Sequence, residues 1–312
     1  MPDGHPACRL LFLSCLMIAL LALLLMATGG TRADADALFQ NGHYQEAGEI
    51  YLALLRGSPR DPVLLDSMGQ TLRRMHQYRT ALAFFQQEVK LDPANYAAGR
   101  SLALTLQEGG DPEEARRLLT KLTTADPSGS ENWFLLGTLN YQTGYYPAAI
   151  EQLDRALKLG LEGGAPSYRN RAEVARAISL VESGRAPEAR EALPKLLALP
   201  ENAANLDLLL GYAQLLYEEA RYTDAIRQAN LAVAANPANG SAHFWRARIL
   251  QQQDQIPQAI TEAERARELE PDSPAPRSLL VRLYQKSGRT ADASREADWL
   301  RERESAAARH LQ

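Results

Sequence analysis

Apolar residues recur along most of the chain at the three- and four-residue spacing that places them on one face of an α-helix. They fall into pairs of short segments, and Asn132 to Gln142 with Pro147 to Leu159 is one such pair. We find no stretch with the alternation of apolar and polar residues that is typical of a half-buried strand. The pattern therefore predicts an all-α protein built from paired helices.

A repeat of 34 residues underlies these pairs. The motif Gly-x-Tyr-x-x-Ala occurs from Gly42 to Ala47 and again from Gly144 to Ala149. Its alanine recurs along the chain at steps of 34, 34, 34, 40, 36, 34 and 34 residues. A fixed period of this length is typical of arrays in which each unit buries its apolar face only against its neighbours. The repeated alanines are Ala47, Ala81, Ala115, Ala149, Ala189, Ala225, Ala259 and Ala293.

Prolines and small residues recur in phase with these alanines. A proline 12 residues after the repeated alanine ends the unit in five cases, because proline cannot continue a helix. A glycine or alanine recurs in the first helix of six pairs, where it allows the two helices to approach closely. The prolines are Pro59, Pro93, Pro127, Pro237 and Pro271, and the small residues are Gly69, Ala103, Gly137, Ala177, Ala213 and Ala247.

The segment Trp133 to Tyr141 reads WFLLGTLNY and resembles the W-x2-L-G-x2-Y signature of the tetratricopeptide repeat, with its tyrosine one residue late. This resemblance extends over nearly all of the chain after the N-terminal segment. It implies a right-handed α-solenoid of about eight helix-turn-helix repeats. The units run over 28–61, 62–95, 96–129, 130–163, 170–203, 206–239, 240–273 and 274–307.

The N-terminal segment predicts export. Leu10 to Ala27 carries no charge over 18 residues and follows Arg9, so the rest of the chain is expected outside the cytoplasm, in the periplasm or at the cell surface. Two outcomes stay open: signal cleavage, for which Ala33-Asp34-Ala35 has the small-x-small pattern, and an uncleaved inner-membrane anchor. Membrane contact is expected only through residues 10–27, and only without cleavage.

The predicted domain organisation has four parts. Residues 1–35 are the signal or anchor, 36–163 hold repeats 1 to 4, 164–169 form a Gly- and Pro-containing joint, and 170–312 hold repeats 5 to 8 with a C-terminal capping helix. Cleavage after residue 35 would shorten the first helix of repeat 1 to a stretch too short to be stable alone. The glycine-rich joint predicts looser packing between the two groups of repeats.

Composition and motifs favour binding over catalysis. The net charge of -4 leaves no overall basic field, so nucleic acid is not an expected partner. Cys8 and Cys15 both precede the repeats, which excludes thiol chemistry and cysteine-based zinc sites from the folded part. We find no catalytic or cofactor motif, and no histidine pair with metal-ligand spacing. The sequence predicts a non-enzyme without cofactor or metal.

First helices line the concave surface in the family that the chain resembles, and extended peptides or partner helices bind there. Aromatic and arginine side chains often supply the anchors of protein interfaces. Arginines toward the front and aromatic residues in the middle favour an acidic ligand segment with apolar anchors. The candidate contacts are Arg73, Arg74, Arg100, Phe134, Tyr141, Gln142, Tyr217, Phe244, Arg248 and Gln252.

The function expected from these features is a non-catalytic scaffold that binds a protein or peptide partner during assembly of an envelope or secretion complex. Two alternatives stay open: a membrane-anchored structural subunit of a secretion, pilus or envelope machine, and a regulatory repeat partner of a separate enzyme. Neither the partner nor the oligomeric state is determined by the residues, because repeat folds show how they bind and not whom.

Overall fold

The computed structural model describes residues 30–161 and 167–309, and no residue in these ranges lies in a strand. Sixteen α-helices and one short 3-10 turn at Pro200–Asn202 occupy them. The prediction of an all-α solenoid of about eight helix-turn-helix repeats is confirmed. The helices are α1 (Arg32–Gln40), α2 (Tyr44–Gly57), α3 (Pro62–Arg74), α4 (Tyr78–Leu91), α5 (Tyr96–Glu108), α6 (Pro112–Ala125), α7 (Ser130–Gln142), α8 (Tyr146–Leu159), α9 (Ser167–Glu182), α10 (Ala186–Leu197), α11 (Leu206–Glu218), α12 (Tyr222–Ala235), α13 (Gly240–Gln252), α14 (Ile256–Leu269), α15 (Pro274–Lys286) and α16 (Thr290–Arg309).

Two of the predicted features fall wholly or partly outside the described ranges. The apolar run at 10–27 precedes residue 30, and residues 164–166 of the predicted joint lie in the gap at 162–166. Residues 167–169, which we expected in that joint, are the first residues of α9. Among the helices that the structure describes, none is both long enough and apolar enough to cross a bilayer.

The chain divides into two compact units. The first unit ends at Thr143 and the second begins at Gly144. Among the described residues, the first unit holds α1 to α7 and the second unit holds α8 to α16. The division thus falls within the fourth repeat, in the turn between its two helices.

A residue with positive φ closes the turn between the two helices of each repeat. It lies five residues before the repeated alanine, and its φ is between 58 and 91°. Glycine occupies five of these turns because a residue without Cβ adopts this conformation at no steric cost. The same geometry in all eight turns confirms the repeat register. The turn residues are Gly42, His76, Gly110, Gly144, Gly184, Ala220, Asp254 and Gly288.

Small residues bring the paired helices close together, as predicted. Seven of the repeated alanines are completely buried, and Ala293 is 4% exposed. At Gly69 in α3, an added Cβ would lie 2.7 Å from the ring of Phe85 in α4. Because carbon atoms do not approach to that distance without displacement, the aromatic ring occupies the space that the glycine leaves.

In three repeats, a side chain of the first helix forms the same hydrogen bond to the preceding turn. The fourth residue of the helix makes a hydrogen bond to the carbonyl of the proline six residues earlier, although its side chain differs from repeat to repeat. The bond satisfies a backbone acceptor at a place where no helix provides a donor. The pairs are Trp133 Nε1 with Pro127 (3.0 Å), His243 Nε2 with Pro237 (3.1 Å) and Arg277 Nη2 with Pro271 (3.2 Å).

Candidate partner-binding surface

All ten predicted contact residues lie on first helices. In the first unit they are distributed over α3, α5 and α7, and in the second unit they lie on α11 and α13. The two groups differ in their surroundings. In the first unit two of the three arginines are engaged with neighbouring side chains, whereas in the second unit the candidates converge on one cluster.

Ion pairs between consecutive first helices hold two of the predicted arginines. Arg73 Nη1 lies 2.8 Å from Glu108 Oε1, and Arg100 Nη2 lies 2.7 Å from Glu131 Oε2. Both arginine side chains are about three-quarters or more buried, so a carboxylate of a partner would have to displace an existing one. Arg74 is exposed. The expectation that these arginines receive an acidic ligand is therefore weakened for Arg73 and Arg100.

Side-chain amides also join consecutive first helices of the first unit. Gln70 Nε2 donates to Ser101 Oγ at 3.0 Å, and Gln107 Nε2 donates to Gln142 Oε1. The candidate Gln142 is exposed, but its amide oxygen already serves this contact between repeats. These bonds give the surface a polar and internally satisfied character.

Phe134 has to be removed from the candidate surface. Its side chain is 1% exposed and lies in the core, where it contributes to stability and cannot reach a partner. Tyr141, the second-last residue of α7, is half-buried and keeps part of its side chain accessible. Of the aromatic candidates in this unit, only Tyr141 belongs to the surface.

The four candidates of the second unit form one cluster. Arg248 lies with its guanidinium carbon 4.6 Å from the centre of the Tyr217 ring and 5.7 Å from that of Phe244. Gln252 Nε2 donates to the hydroxyl of Tyr217 at 3.0 Å. The rings and the arginine are half-buried, and Gln252 is exposed. The structure thus brings together residues that are up to 35 positions apart in the sequence.

Trp245 also belongs to this cluster, although the sequence interpretation missed it. Its ring centre lies 4.5 Å from the guanidinium carbon of Arg248, and the ring meets those of Tyr217 and Phe244 edge to face at 5.7 and 6.1 Å. Tyr222 also meets the ring of Tyr217 edge to face, at 5.6 Å between ring centres. Trp245 directly follows Phe244, and the aromatic pair was the available signal. We call Tyr217, Phe244, Trp245, Arg248 and Gln252 the aromatic–arginine cluster.

A buried carboxylate lies in the first unit. Glu88 in α4 is 4% exposed; its Oε1 accepts from Asn95 Nδ2 at 3.0 Å, while its Oε2 has no partner among the described residues. Burial, and secondarily the charge of Asp66, raise the pKa of Glu88 to about 7. Such a group is protonated more readily in the folded chain than in the unfolded chain. We therefore expect its titration to change the stability of the fold.

Consecutive helix pairs, with a cluster of aromatic and arginine side chains on first helices, define a helical-repeat binding protein. The chain belongs to the tetratricopeptide repeat family, whose sequence pattern matches residues 100–166, 174–233 and 213–274, together just over half of the chain. Proteins of this family are generally non-catalytic scaffolds that bind protein or peptide partners.

Solved structures of this fold include a tetratricopeptide repeat protein from Parabacteroides merdae, which has 20% sequence identity and a TM-score of 0.58 over 81% of this chain and 96% of that protein. PilF of Pseudomonas aeruginosa has 19% identity and a TM-score of 0.56 over 70% of this chain and 95% of its own. An N-terminal acetyltransferase A complex subunit-like protein of Schizosaccharomyces pombe is 22% identical over 121 residues, which are 39% of this chain and 17% of that protein. The chain thus matches about a sixth of that relative's length.

Proposed function

We propose that the protein is an exported scaffold that binds a partner protein through the aromatic–arginine cluster of its second unit. The observation that carries the proposal is the convergence of three half-buried rings and one arginine on adjacent first helices. Aromatic and arginine side chains contribute more binding energy per residue than other types. In the first unit, by contrast, the polar groups of the corresponding helices largely satisfy one another.

The test compares partner capture by the wild-type chain and by Tyr217→Ala. Tyr217 contacts every other member of the cluster except Phe244 directly, so its removal should abolish specific capture from an envelope fraction. Tyr145→Ala is the matched control, because Tyr145 is a half-exposed tyrosine of the same unit that lies outside the cluster. Equal capture by the two variants would refute the location of the binding surface.

Export is supported by the uncharged run at 10–27, but the contacts of α1 argue for a different cleavage position from the one expected. Thr31 caps α1 reciprocally with Asp34, and Ala35 is completely buried. Asp36 Oδ1 accepts from the hydroxyl of Tyr51 at 2.6 Å. Cleavage after Ala35 would remove the cap and a core residue. We therefore propose that the mature chain retains Thr31 to Ala35.

An uncleaved anchor and a cut before Thr31 both retain this cap, so the second candidate function, a membrane-anchored subunit of an envelope machine, stays in consideration. N-terminal sequencing of the protein from fractionated cells separates them. An intact N-terminus in the membrane fraction supports the anchored subunit, and a mature N-terminus shortly before Thr31 supports the exported scaffold. A mature N-terminus at Asp36 would contradict the retention of Thr31 to Ala35.

A further inference from the structure

Arg248 differs from every other half-buried arginine of the described chain. Each of the others has a carboxylate within ion-pair distance, as Arg73 has Glu108 and Arg246 has Glu262. Arg248 has no such partner among residues 30–161 and 167–309 and makes no hydrogen bond to them. Aromatic rings contact its guanidinium group in place of a carboxylate. The other half-buried arginines are Arg73, Arg100, Arg116, Arg176, Arg246, Arg267 and Arg277.

The rings hold the guanidinium group without using its hydrogen-bond donors. A cation at 4.5 to 4.6 Å from the centres of Trp245 and Tyr217 is within the range of a cation–π interaction. This attraction acts on the charge, whereas the five N–H donors of arginine lie in the plane of the group and require oxygen atoms. The donors of Arg248 therefore remain unsatisfied within the described chain.

The surroundings also fix the position of the group before any partner arrives. Tyr217 is held by Gln252 through its hydroxyl and by Tyr222 through its ring, and Trp245 packs edge to face on Tyr217. Glu218, the acidic residue next to Tyr217, accepts a hydrogen bond from Gln214 instead. A preorganised donor group loses less entropy on binding than a mobile surface arginine does.

Resting on the proposed function, we infer that Arg248 binds an Asp or Glu side chain of the partner protein, next to an apolar side chain that packs on the surrounding rings. A carboxylate matches the planar fork of arginine with two parallel hydrogen bonds. The half-buried rings reduce access of water, which strengthens such a pair relative to one on an open surface. The acidic segment expected from the sequence is thus assigned to the second unit and to one arginine.

The experiment selects peptides from a random 16-residue library, displayed with blocked C-termini, on the purified full chain. We expect the recovered peptides to be enriched in Asp or Glu beside an apolar residue. The best binder is then synthesised together with a copy in which each Asp or Glu is replaced by Asn or Gln. Because hydrogen bonds to charged groups contribute about 1.5 to 3 kcal/mol, the amide copy should bind about 10- to 150-fold more weakly.

The variants Arg248→Gln and Arg248→Lys test the assignment, and Arg282→Gln is the matched control. Arg282 lies 34 residues further on, at the equivalent repeat position, and is exposed. Arg248→Gln should weaken the acidic peptide by the same factor as the amide substitution and leave the amide copy unaffected. Arg248→Lys should restore only part of the affinity, because lysine lacks the planar fork, and Arg282→Gln should keep wild-type affinity.

Three results would overturn the inference: equal affinity for the acidic peptide and its amide copy, undiminished acidic preference in Arg248→Gln, or recovered peptides without Asp or Glu. If, in any of these cases, the recovered peptides still bind Tyr217→Ala more weakly than the wild-type chain, the cluster is a binding surface and only the role of Arg248 is refuted. If the library yields no binder that depends on Tyr217, the proposed function fails together with the inference.

Discussion

Ala220 provides a direct test of how the turns specify the repeat. It occupies the turn between α11 and α12 with a φ of 58°, where most other repeats have glycine. The side chain is exposed, so replacing it with glycine removes no buried contact. The substitution therefore isolates the backbone cost of a Cβ atom in the left-handed conformation.

The magnitude follows from two opposing effects. A left-handed conformation costs an L-residue with Cβ about 1 to 2 kcal/mol. The gain is partly offset, because glycine increases the conformational entropy of the unfolded chain. This effect lowers the free energy of unfolding by about 0.4 to 1 kcal/mol. Ala220→Gly should therefore raise the free energy of unfolding by about 0.5 to 1 kcal/mol.

Urea unfolding followed by circular dichroism at the helical band measures this change. The reciprocal variant is Gly184→Ala in the same unit, where φ is 69° and an added Cβ would meet no atom within 4 Å. We expect it to lower the free energy of unfolding by a similar amount. Destabilisation by Ala220→Gly, or no effect of Gly184→Ala, would refute the reasoning that these turns select glycine for its backbone conformation.

Three further predictions concern a charge, a packing contact and a cap. Because burial raises the pKa of Glu88 to about 7, the folded chain holds its proton more strongly than the unfolded chain does; stability from this group is complete below about pH 4.5 and is lost as the pH rises through 7. Glu88→Gln should therefore stabilise the protein above pH 7 by about 1 to 2 kcal/mol, after allowance for solvent screening, and change little near pH 4. Gly69→Ala should destabilise the first unit by about 1 to 3 kcal/mol, because its methyl group would overlap the ring of Phe85. Thr31→Ala should cost about 1 kcal/mol by removing the cap of α1, measured as faster amide hydrogen exchange in that helix.

Each of these predictions has a result that would contradict it. For Glu88, an identical pH profile of stability for Glu88→Gln and wild type would contradict the first prediction. For Gly69, the control is Gly57→Ala, where an added Cβ meets nothing within 4 Å; equal stability of the two variants would contradict the packing argument. Unchanged exchange throughout α1 in Thr31→Ala would show that the cap contributes nothing.

Local features of the sequence were sufficient to predict the repeats. The spacing from Ala47 to Ala81 and from Ala225 to Ala259 is one repeat length because each alanine occupies the same contact between paired helices. Glycines in the turns and prolines after the second helices act on the nearest residues of the chain, so their positions can be read without a structure. The start of α9 at Ser167 was less accessible, since the insertion before it follows no period.

The binding surface was only partly predictable. A helical period shows that Phe134 and Phe244 lie on corresponding faces, but it does not show that one is buried and the other half-exposed. It likewise does not show that Arg73 already has a carboxylate partner while Arg248 contacts rings and, among the described residues, no carboxylate. Glu108, which pairs with Arg73, and Tyr217, which contacts Arg248, each come from another repeat.

The sequence by itself determined the helical class, the 34-residue period and the register of the turns, because each depends on contacts or backbone preferences within one repeat. The tertiary structure decided which arginines of the surface have a carboxylate partner: it joined Arg100 to Glu131 and placed the ring of Tyr217 against Arg248. The physical reason is how far apart along the chain the interacting residues lie. A backbone preference acts on adjacent residues, whereas the Arg100–Glu131 ion pair and the contact of Arg248 with the Tyr217 ring each require two helices from different repeats to be packed side by side.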